Sequence, residues 1–117
     1  MVDERIKTLA NKLVNYSCRV QKGENCLIEL IGADEAFGAE LIKAVNEAGG
    51  NPFLWVRSNR LNRALLMNAA KEQLQLMAET DAALMEKMHA YIGVRGAENS
   101  FEMSDVPQEN LEVYNKI

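Results

Sequence analysis

The sequence contains few of the residues on which most enzyme active sites and binding motifs depend. Among its 117 residues there are one histidine, two cysteines, two prolines and one tryptophan. It has no H-E-x-x-H zinc motif, no G-x-S-x-G nucleophile elbow and neither of the glycine-rich loops that cradle phosphates. The sequence therefore lacks the signatures of H-E-x-x-H zinc proteases, of hydrolases with a nucleophile elbow and of domains with a glycine-rich phosphate loop.

Charge and hydrophobic patterning exclude two further kinds of partner. Thirteen Lys and Arg stand against 17 Asp and Glu, a net charge of −4, so no basic excess is available to neutralise a phosphate backbone. No apolar run approaches the ~20 residues that cross a bilayer, and the charged start MVDERIKTLANKL has no signal-peptide core. We expect a cytoplasmic protein that binds neither nucleic acid nor membranes. Its cysteines, Cys18 and Cys26, are expected to remain thiols.

Apolar periodicity predicts helices that alternate with strands. Helical spacing runs from residue 3 to residue 18, again from residue 34 to residue 48, and over two stretches between residues 58 and 88. Three apolar, β-prone runs have the length of buried strands: 26–31, 53–56 and 90–94. The first strand, its helix and the second strand form a βαβ unit with parallel strands. The predicted fold is a single α/β domain over residues 1–117, a three-layer, mostly parallel sheet with helices on both faces, Rossmann-like or flavodoxin-like.

Several local features follow from the same pattern. Asp34 is expected to cap the second helix. In the third helix, Leu61, Ala64 and Leu65 are expected to face inward. Asp81 interrupts the apolar face of the fourth helix, which places it near the rim of the core. His89, at the end of that helix, is expected to interact as an imidazolium with the last helix carbonyls.

Three residues are candidates for binding a small anion at the carboxyl ends of the strands. Arg57 and Arg60 leave the second strand and enter the next helix, so their guanidinium groups can converge on one anion. Asn99 lies in the segment RGAEN after the third strand, at the edge where open α/β sheets bind ligands. No residue is predicted to be catalytic or to bind metal, because the acidic cluster between residues 98 and 105 has no second set of ligands elsewhere.

The number of strands suggests that the chain is part of something larger. Sheets usually hold about four to six strands, whereas only three are predicted here. The sequence also stops at an apolar helical residue, Ile117, without a polar end. We expect an amino-terminal fragment of a longer chain, with further strands beyond residue 117 or in a partner.

Three segments taken together resemble the amino-terminal domain of the thermophilic-type metalloaminopeptidases, the family of aminopeptidase T, AmpS and PepS. They are LANKLVNYSCRVQKGENCLIELIG, EAFGAELIKAVNEAGGNPFLWVR and AYIGVRGAENSFEMSDVPQENLEVYNK. The similarity lies in the opening pattern LxxxLVxYSxxVxxGxxxLI, in a helix that ends with an alanine-glycine pair before a proline-bearing strand, and in a last strand followed by asparagine and an SDVP loop. It covers nearly all of the chain in order.

This resemblance implies a parent enzyme that releases N-terminal amino acids from peptides. In the family, two divalent metal ions (zinc, cobalt or manganese) activate water against the first peptide bond. Their ligands belong to a carboxy-terminal catalytic domain that these 117 residues do not include. The resemblance therefore implies that this part holds no cofactor and is inactive alone. It would pack on the catalytic domain, limit substrate access and support a homodimer.

Two alternatives from other functional classes stay open. One is a stand-alone flavodoxin-like module that binds a small anionic ligand through Arg57, Arg60 and the loop 96–99. The other is a protein-interaction domain that presents an uncovered sheet edge or an apolar patch. Stabilisation by a ligand would favour the first, and concentration-dependent dimerisation without any ligand effect would favour the second.

Overall fold

The structure, a computed structural model, describes residues 4–96. In chain order the elements are α1 (Glu4–Lys12), a π-helical turn (Leu13–Ser17), β1 (Asn25–Ile31), α2 (Glu35–Glu47), β2 (Asn51–Arg57), α3 (Asn59–Met67), α4 (Lys71–Met85) and β3 (Ala90–Arg95). Each strand lies within two residues of its predicted bounds. The candidate Asn99 and the acidic cluster between residues 98 and 105 lie outside the described residues.

The three strands form an all-parallel sheet in the order β2-β1-β3, which confirms the predicted α/β fold. The order is that of the first three strands of a flavodoxin-like sheet. The central strand β1 places Ile31 beside Arg57 of β2 and beside Arg95 of β3. The carboxyl ends of all three strands are therefore level at one edge of the sheet.

One face of the sheet is covered by α1, the π-helical turn and α2. Because side chains alternate along a strand, Cys26, Ile28 and Leu30 all point to this face, and all are buried. They pack with apolar residues of the covering helices and of β3: Ala10, Val14, Leu41, Ala44, Val45 and Ile92. This layer contains most of the hydrophobic core.

Local chemistry fixes both ends of α2. The Asp34 carboxylate accepts a hydrogen bond from the backbone N–H of Ala36 at 3.0 Å, so Asp34 is the N-cap as predicted. After the helix, Gly49 adopts a φ of +86°, a left-handed conformation that glycine takes at little cost. The chain then enters β2 through Pro52, which an edge strand tolerates.

The opposite face of the sheet is covered less completely. Leu27 is fully buried against Met85 and Met88, from α4 and the turn after it. None of the residues of α3 is buried, and Leu61 and Leu65 are 69% and 48% exposed. The prediction that α3 turns these residues inward is wrong for Leu61 and Ala64, which are exposed and do not line the cavity, whereas Leu65 does line it without being buried. The helix lies across an open cavity from the strands, so its apolar side chains are not pressed against the sheet.

His89 lies at the amino-terminal edge of the sheet, opposite the cavity. Its backbone N–H donates to the carbonyl of Asn25 at 2.8 Å, and its Nδ1 accepts from the N–H of Asn25 at 2.9 Å. The carbonyl of Lys87 is instead bound by the side-chain amide of Asn25. Among residues 4–96 the His89 ring thus contacts Asn25 and not the last helix carbonyls, so the predicted contact is wrong.

None of the helices among residues 4–96 combines the length and apolarity needed to cross a membrane. Both cysteines are free thiols, Cys26 buried and Cys18 half-buried.

The thiol of Cys26 is expected to resist alkylation in the folded protein. Burial, reinforced by the nearby Cys18 thiol, raises the pKa of Cys26 to about 12, and burial also raises the pKa of Cys18. Since the thiolate is the reactive form, iodoacetamide at pH 8 should modify Cys18 slowly and Cys26 only after unfolding. Mass spectrometry of native and urea-unfolded samples checks this. Rapid modification of Cys26 in the native sample would contradict it.

The same raised pKa sets a direction for alkaline stability. Below pH 9.0, the ordinary pKa of the thiol, Cys26 is protonated in both the folded and the unfolded chain and does not alter the balance. Between pH 9.0 and about 12 the unfolded chain releases this proton first, so stability falls as pH rises.

Candidate functional site

An open cavity of about 370 Å³ lies between the second face of the sheet and helices α3 and α4. The strands supply its floor at their carboxyl ends, and the two helices supply its opposite wall. Its polar lining comprises Glu29, Arg57, Asn59, Asn62, Asp81 and Arg95. This cavity is the candidate site, because a concave site with a few converging polar groups is the usual form of a small-molecule site.

The register of the sheet explains why these side chains meet. Residues 27, 29 and 31 of β1 share the second face, and Glu29 is the register partner of Trp55 on one side and Gly93 on the other. Two residues further on, Ile31 is flanked by the two arginines. The odd-numbered positions of the three strands therefore share the second face, and at the carboxyl ends they place Glu29, Arg57 and Arg95 on one surface.

Glu29 is the buried charge at the centre of this surface. It is 2% exposed. The hydroxyl of Tyr91 donates to its Oε1 at 2.5 Å, and Arg57 Nε lies 2.6 Å from its Oε2. Within the described residues, Nε is buried and its N–H meets no acceptor at a hydrogen-bonding angle, so the contact with Glu29 is an ion pair without a hydrogen bond. A buried carboxylate requires such a counter-charge, because desolvation of a lone charge costs several kcal/mol.

Arg57 is held in place on three sides. Its guanidinium lies over the Trp55 ring, 4.4 Å from the ring centroid, besides its contact with Glu29. Its third partner is Asp81 of α4, whose Oδ2 is 3.4 Å from the terminal Nη2. Asp81 is 44% exposed, so this second ion pair is screened by solvent and contributes about 1 kcal/mol or less. Its position at the rim agrees with the sequence prediction.

Gly93 allows Tyr91 to reach Glu29. Both residues of β3 face the cavity side, and Gly93 is the register partner of Glu29. A Cβ atom at position 93 would lie 2.6 Å from the Tyr91 hydroxyl and 3.0 Å from the ring. The tyrosine ring therefore lies over the glycine, and in this position its hydroxyl reaches Glu29 on the neighbouring strand.

Replacing Gly93 with alanine is expected to lower the free energy of unfolding by about 1–2 kcal/mol. The added methyl displaces the Tyr91 ring and its hydrogen bond to Glu29. Urea denaturation measures the loss. In a Tyr91→Phe background the closest clash is absent, so Gly93→Ala should then cost less than in the parent chain. An unchanged cost in both backgrounds would show that Tyr91 is not the residue displaced.

The structure brings together only part of the candidate set from the sequence. Arg57 lines the cavity, whereas Arg60 is exposed on α3 and is not among the residues that line it. Asn99 is outside the described residues, so binding by these three stays a prediction. The sequence reasoning missed Glu29 and Arg95. A single carboxylate inside the otherwise apolar run CLIELI was the available signal for Glu29.

The crevice between β1 and β3, where flavodoxin-like sheets bind ligands, is closed by backbone. The N–H of Gly96 donates to the carbonyl of Ile31 at 2.8 Å. A Cβ atom at Gly96 would lie only 1.7 Å from the carbonyl oxygen of Gly32. Beside it, the N-terminus of α2 is occupied by the Asp34 carboxylate. Backbone of the described residues therefore fills this crevice, and the cavity on the second face is the candidate site.

No group of three or more His, Cys, Asp and Glu side chains within residues 4–96 is arranged to hold a metal ion. Both carboxylates that line the cavity are instead in ion pairs with Arg57.

Comparison with known proteins gives two findings. The family model described as thermophilic metalloprotease (M29) matches residues 2–117. Among solved structures, wild-type AmpT from Thermus thermophilus superposes with a TM-score of 0.61 and 19% sequence identity, over 97% of this chain and 30% of that chain. At this identity the likeness concerns the fold, and the chain spans 30% of the length of AmpT. No curated protein is significantly similar in sequence.

Proposed function

Because the chain belongs to the M29 family of thermophilic metalloproteases, we propose that it forms the non-catalytic amino-terminal part of a two-metal-dependent aminopeptidase. Membership of the family implies a hydrolase that uses divalent metal. The proposed enzyme removes N-terminal amino acids from peptides. Its metal ions, zinc, cobalt or manganese, are bound by residues beyond this part, where they polarise the carbonyl and activate water.

The observation that carries the proposal is that both carboxylates of the cavity are paired with an arginine. Oxygen ligands bind divalent metal when two or more ionised groups converge on it without a competing cation. Here the guanidinium of Arg57 already lies between Glu29 and Asp81, with Nε 2.6 Å from one and Nη2 3.4 Å from the other. The acidic groups of the cavity therefore stabilise an arginine, which is a structural task.

The exposed apolar surface of α3 and α4 supports a packing role. Leu61, Met67 and Leu76 are 69%, 67% and 61% exposed, and none of them lines the cavity. Large apolar side chains that are exposed in this number on two successive helices favour a surface that another domain covers. The chain spans 30% of AmpT, which leaves room for such a domain in a longer protein. The proposal is that the catalytic domain packs on α3 and α4 and that this contact limits the access of peptides.

Two further parts of the proposal concern the state of the enzyme. We expect the longer chain to form a homodimer, which light scattering of the purified protein measures. We also place it in the cytoplasm, since the free thiols Cys18 and Cys26 suit a reducing compartment.

Peptidase assays test the proposal. The longer chain is expected to release leucine from leucyl-p-nitroanilide only when zinc, cobalt or manganese is present, and residues 1–117 alone are expected to release none. In the longer chain, Leu61→Asp should reduce the rate of leucine release, because it disrupts the proposed contact between α3 and the catalytic domain. Lys43→Asp, which places the same side chain on the exposed side of α2, should not. Metal-dependent release by residues 1–117 alone would overturn the proposal.

A further inference from the structure

The side chain of Arg95 is the one charged group of the cavity wall that the described part of the chain leaves without a partner. Glu29 and Asp81 are both in ion pairs with Arg57. Arg95 comes from the last position of β3, is half-buried, and lines the cavity, yet it makes no side-chain hydrogen bond or ion pair within residues 4–96. A half-buried guanidinium that faces a cavity without a counter-charge favours an anion there.

The strand register places a second arginine on the same face. Ile31 lies directly between Arg57 and Arg95, and neighbouring strands are about 4.8 Å apart, so the two arginine Cα atoms are about 10 Å apart. Two extended arginine side chains can therefore approach the same small group above Ile31. Arg57 is already fixed by Trp55 and Glu29, so it meets a ligand without losing further conformational freedom.

The remaining walls of the cavity are apolar or amide-bearing. Leu65 and Met77 supply apolar surface from the two helices, and Asn59 and Asn62 supply amides. Two arginines against two carboxylates leave the cavity electrically balanced, so a ligand with one negative charge fits better than a doubly charged phosphate. We propose that this cavity binds the carboxylate of a small apolar organic acid between Arg95 and Arg57, with its apolar body against Leu65 and Met77.

The inference is independent of the peptidase proposal, because it needs only residues of this chain. The same carboxylate chemistry occurs in simple organic acids and in free amino acids, which carry an ammonium group as well. In the second case the ammonium group would face Asp81, the half-exposed carboxylate at the rim.

Fluorescence of the single tryptophan tests the inference directly. Trp55 is the only tryptophan of the chain and lines the cavity, so its emission reports on a ligand there. Purified residues 1–117 are titrated with 4-methylpentanoate, with L-leucine and with inorganic phosphate, and thermal unfolding of the same samples gives a second readout. The variants are Arg95→Gln and, as a matched control at an exposed arginine of α3 that does not line the cavity, Arg63→Gln.

The expected result is saturable binding of 4-methylpentanoate that weakens about tenfold or more in Arg95→Gln and is unchanged in Arg63→Gln. Equal or tighter binding of L-leucine would support the inference and identify a free amino acid as the ligand source. Binding that is insensitive to Arg95→Gln would overturn it. So would phosphate binding as tight as that of the organic acid, or no change in either readout with 4-methylpentanoate and L-leucine.

Discussion

Replacement of Gly96 by alanine is expected to destabilise the protein by about 3–4 kcal/mol. A Cβ atom at this position would lie 1.7 Å from the carbonyl oxygen of Gly32 and 2.4 Å from its carbonyl carbon. Both atoms belong to backbone, so no side-chain rotation relieves the clash. The end of β3 must move away from β1, which also breaks the hydrogen bond from the N–H of Gly96 to the carbonyl of Ile31.

Urea denaturation followed by tryptophan fluorescence measures this loss, and Gly23→Ala is the matched control. Gly23 has no heavy atom within 4 Å of an added Cβ, so its only cost is that of its left-handed φ of +82°, about 1–2 kcal/mol. If the two variants lost equal stability, the close contact between the ends of β1 and β3 would not exist as described.

Replacement of Glu29 by leucine is expected to cost about 2–3 kcal/mol, although the two side chains are similar in size. The substitution leaves Arg57 Nε buried without its counter-ion at 2.6 Å, and it removes the acceptor for the Tyr91 hydroxyl. The cost is below that of a fully buried pair, because Arg57 is 26% exposed and keeps Asp81 as a partner.

A double-mutant cycle separates the cost of removing the Glu29 carboxylate from the cost of leaving the Arg57 charge unpaired. Glu29→Leu combined with Arg57→Leu removes both members of the buried pair, so the double variant should be more stable than Glu29→Leu alone. Urea denaturation of the four proteins gives the coupling energy. Strictly additive losses would show that Glu29 and Arg57 do not interact across the floor of the cavity.

The sequence predicts the sheet well because its signals are local. Each strand is a short apolar run between polar breaks. Asp34 caps α2 through its own carboxylate, and Gly49 ends the helix because a residue without a side chain adopts a positive φ at little cost. Parallel pairing follows from the helix between the first two strands. None of these predictions requires knowledge of what lies across the fold.

The lining of the cavity was only partly predictable, because the register between paired strands brings its side chains together. Arg57 was a candidate from its position at the end of β2. Its partner Glu29 is 28 residues earlier in the chain and is concealed within an apolar run. Arg95 faces the cavity only because β3 pairs with β1 so that Arg95 lies beside Ile31. Which strands pair, and in which register, is decided by tertiary packing.

The prediction for the inward face of α3 failed because it too depends on what packs against the helix. The leucines of α3 recur at helical spacing, which predicts a buried face but does not specify what buries it. In the structure Leu65 stands across the cavity from the sheet without being buried, and Leu61, which does not line the cavity, is 69% exposed. A face without a partner within residues 4–96 is consistent with the proposed contact to a catalytic domain.

Calorimetric titration of purified residues 1–117 with zinc, cobalt and manganese tests the central claim most directly, since the claim is that the reactive metal centre belongs to another part of the enzyme. The account predicts no saturable binding of these ions at micromolar concentrations to residues 1–117, and stoichiometric binding of two ions to the longer chain. Tight binding of two ions to residues 1–117 alone would contradict it.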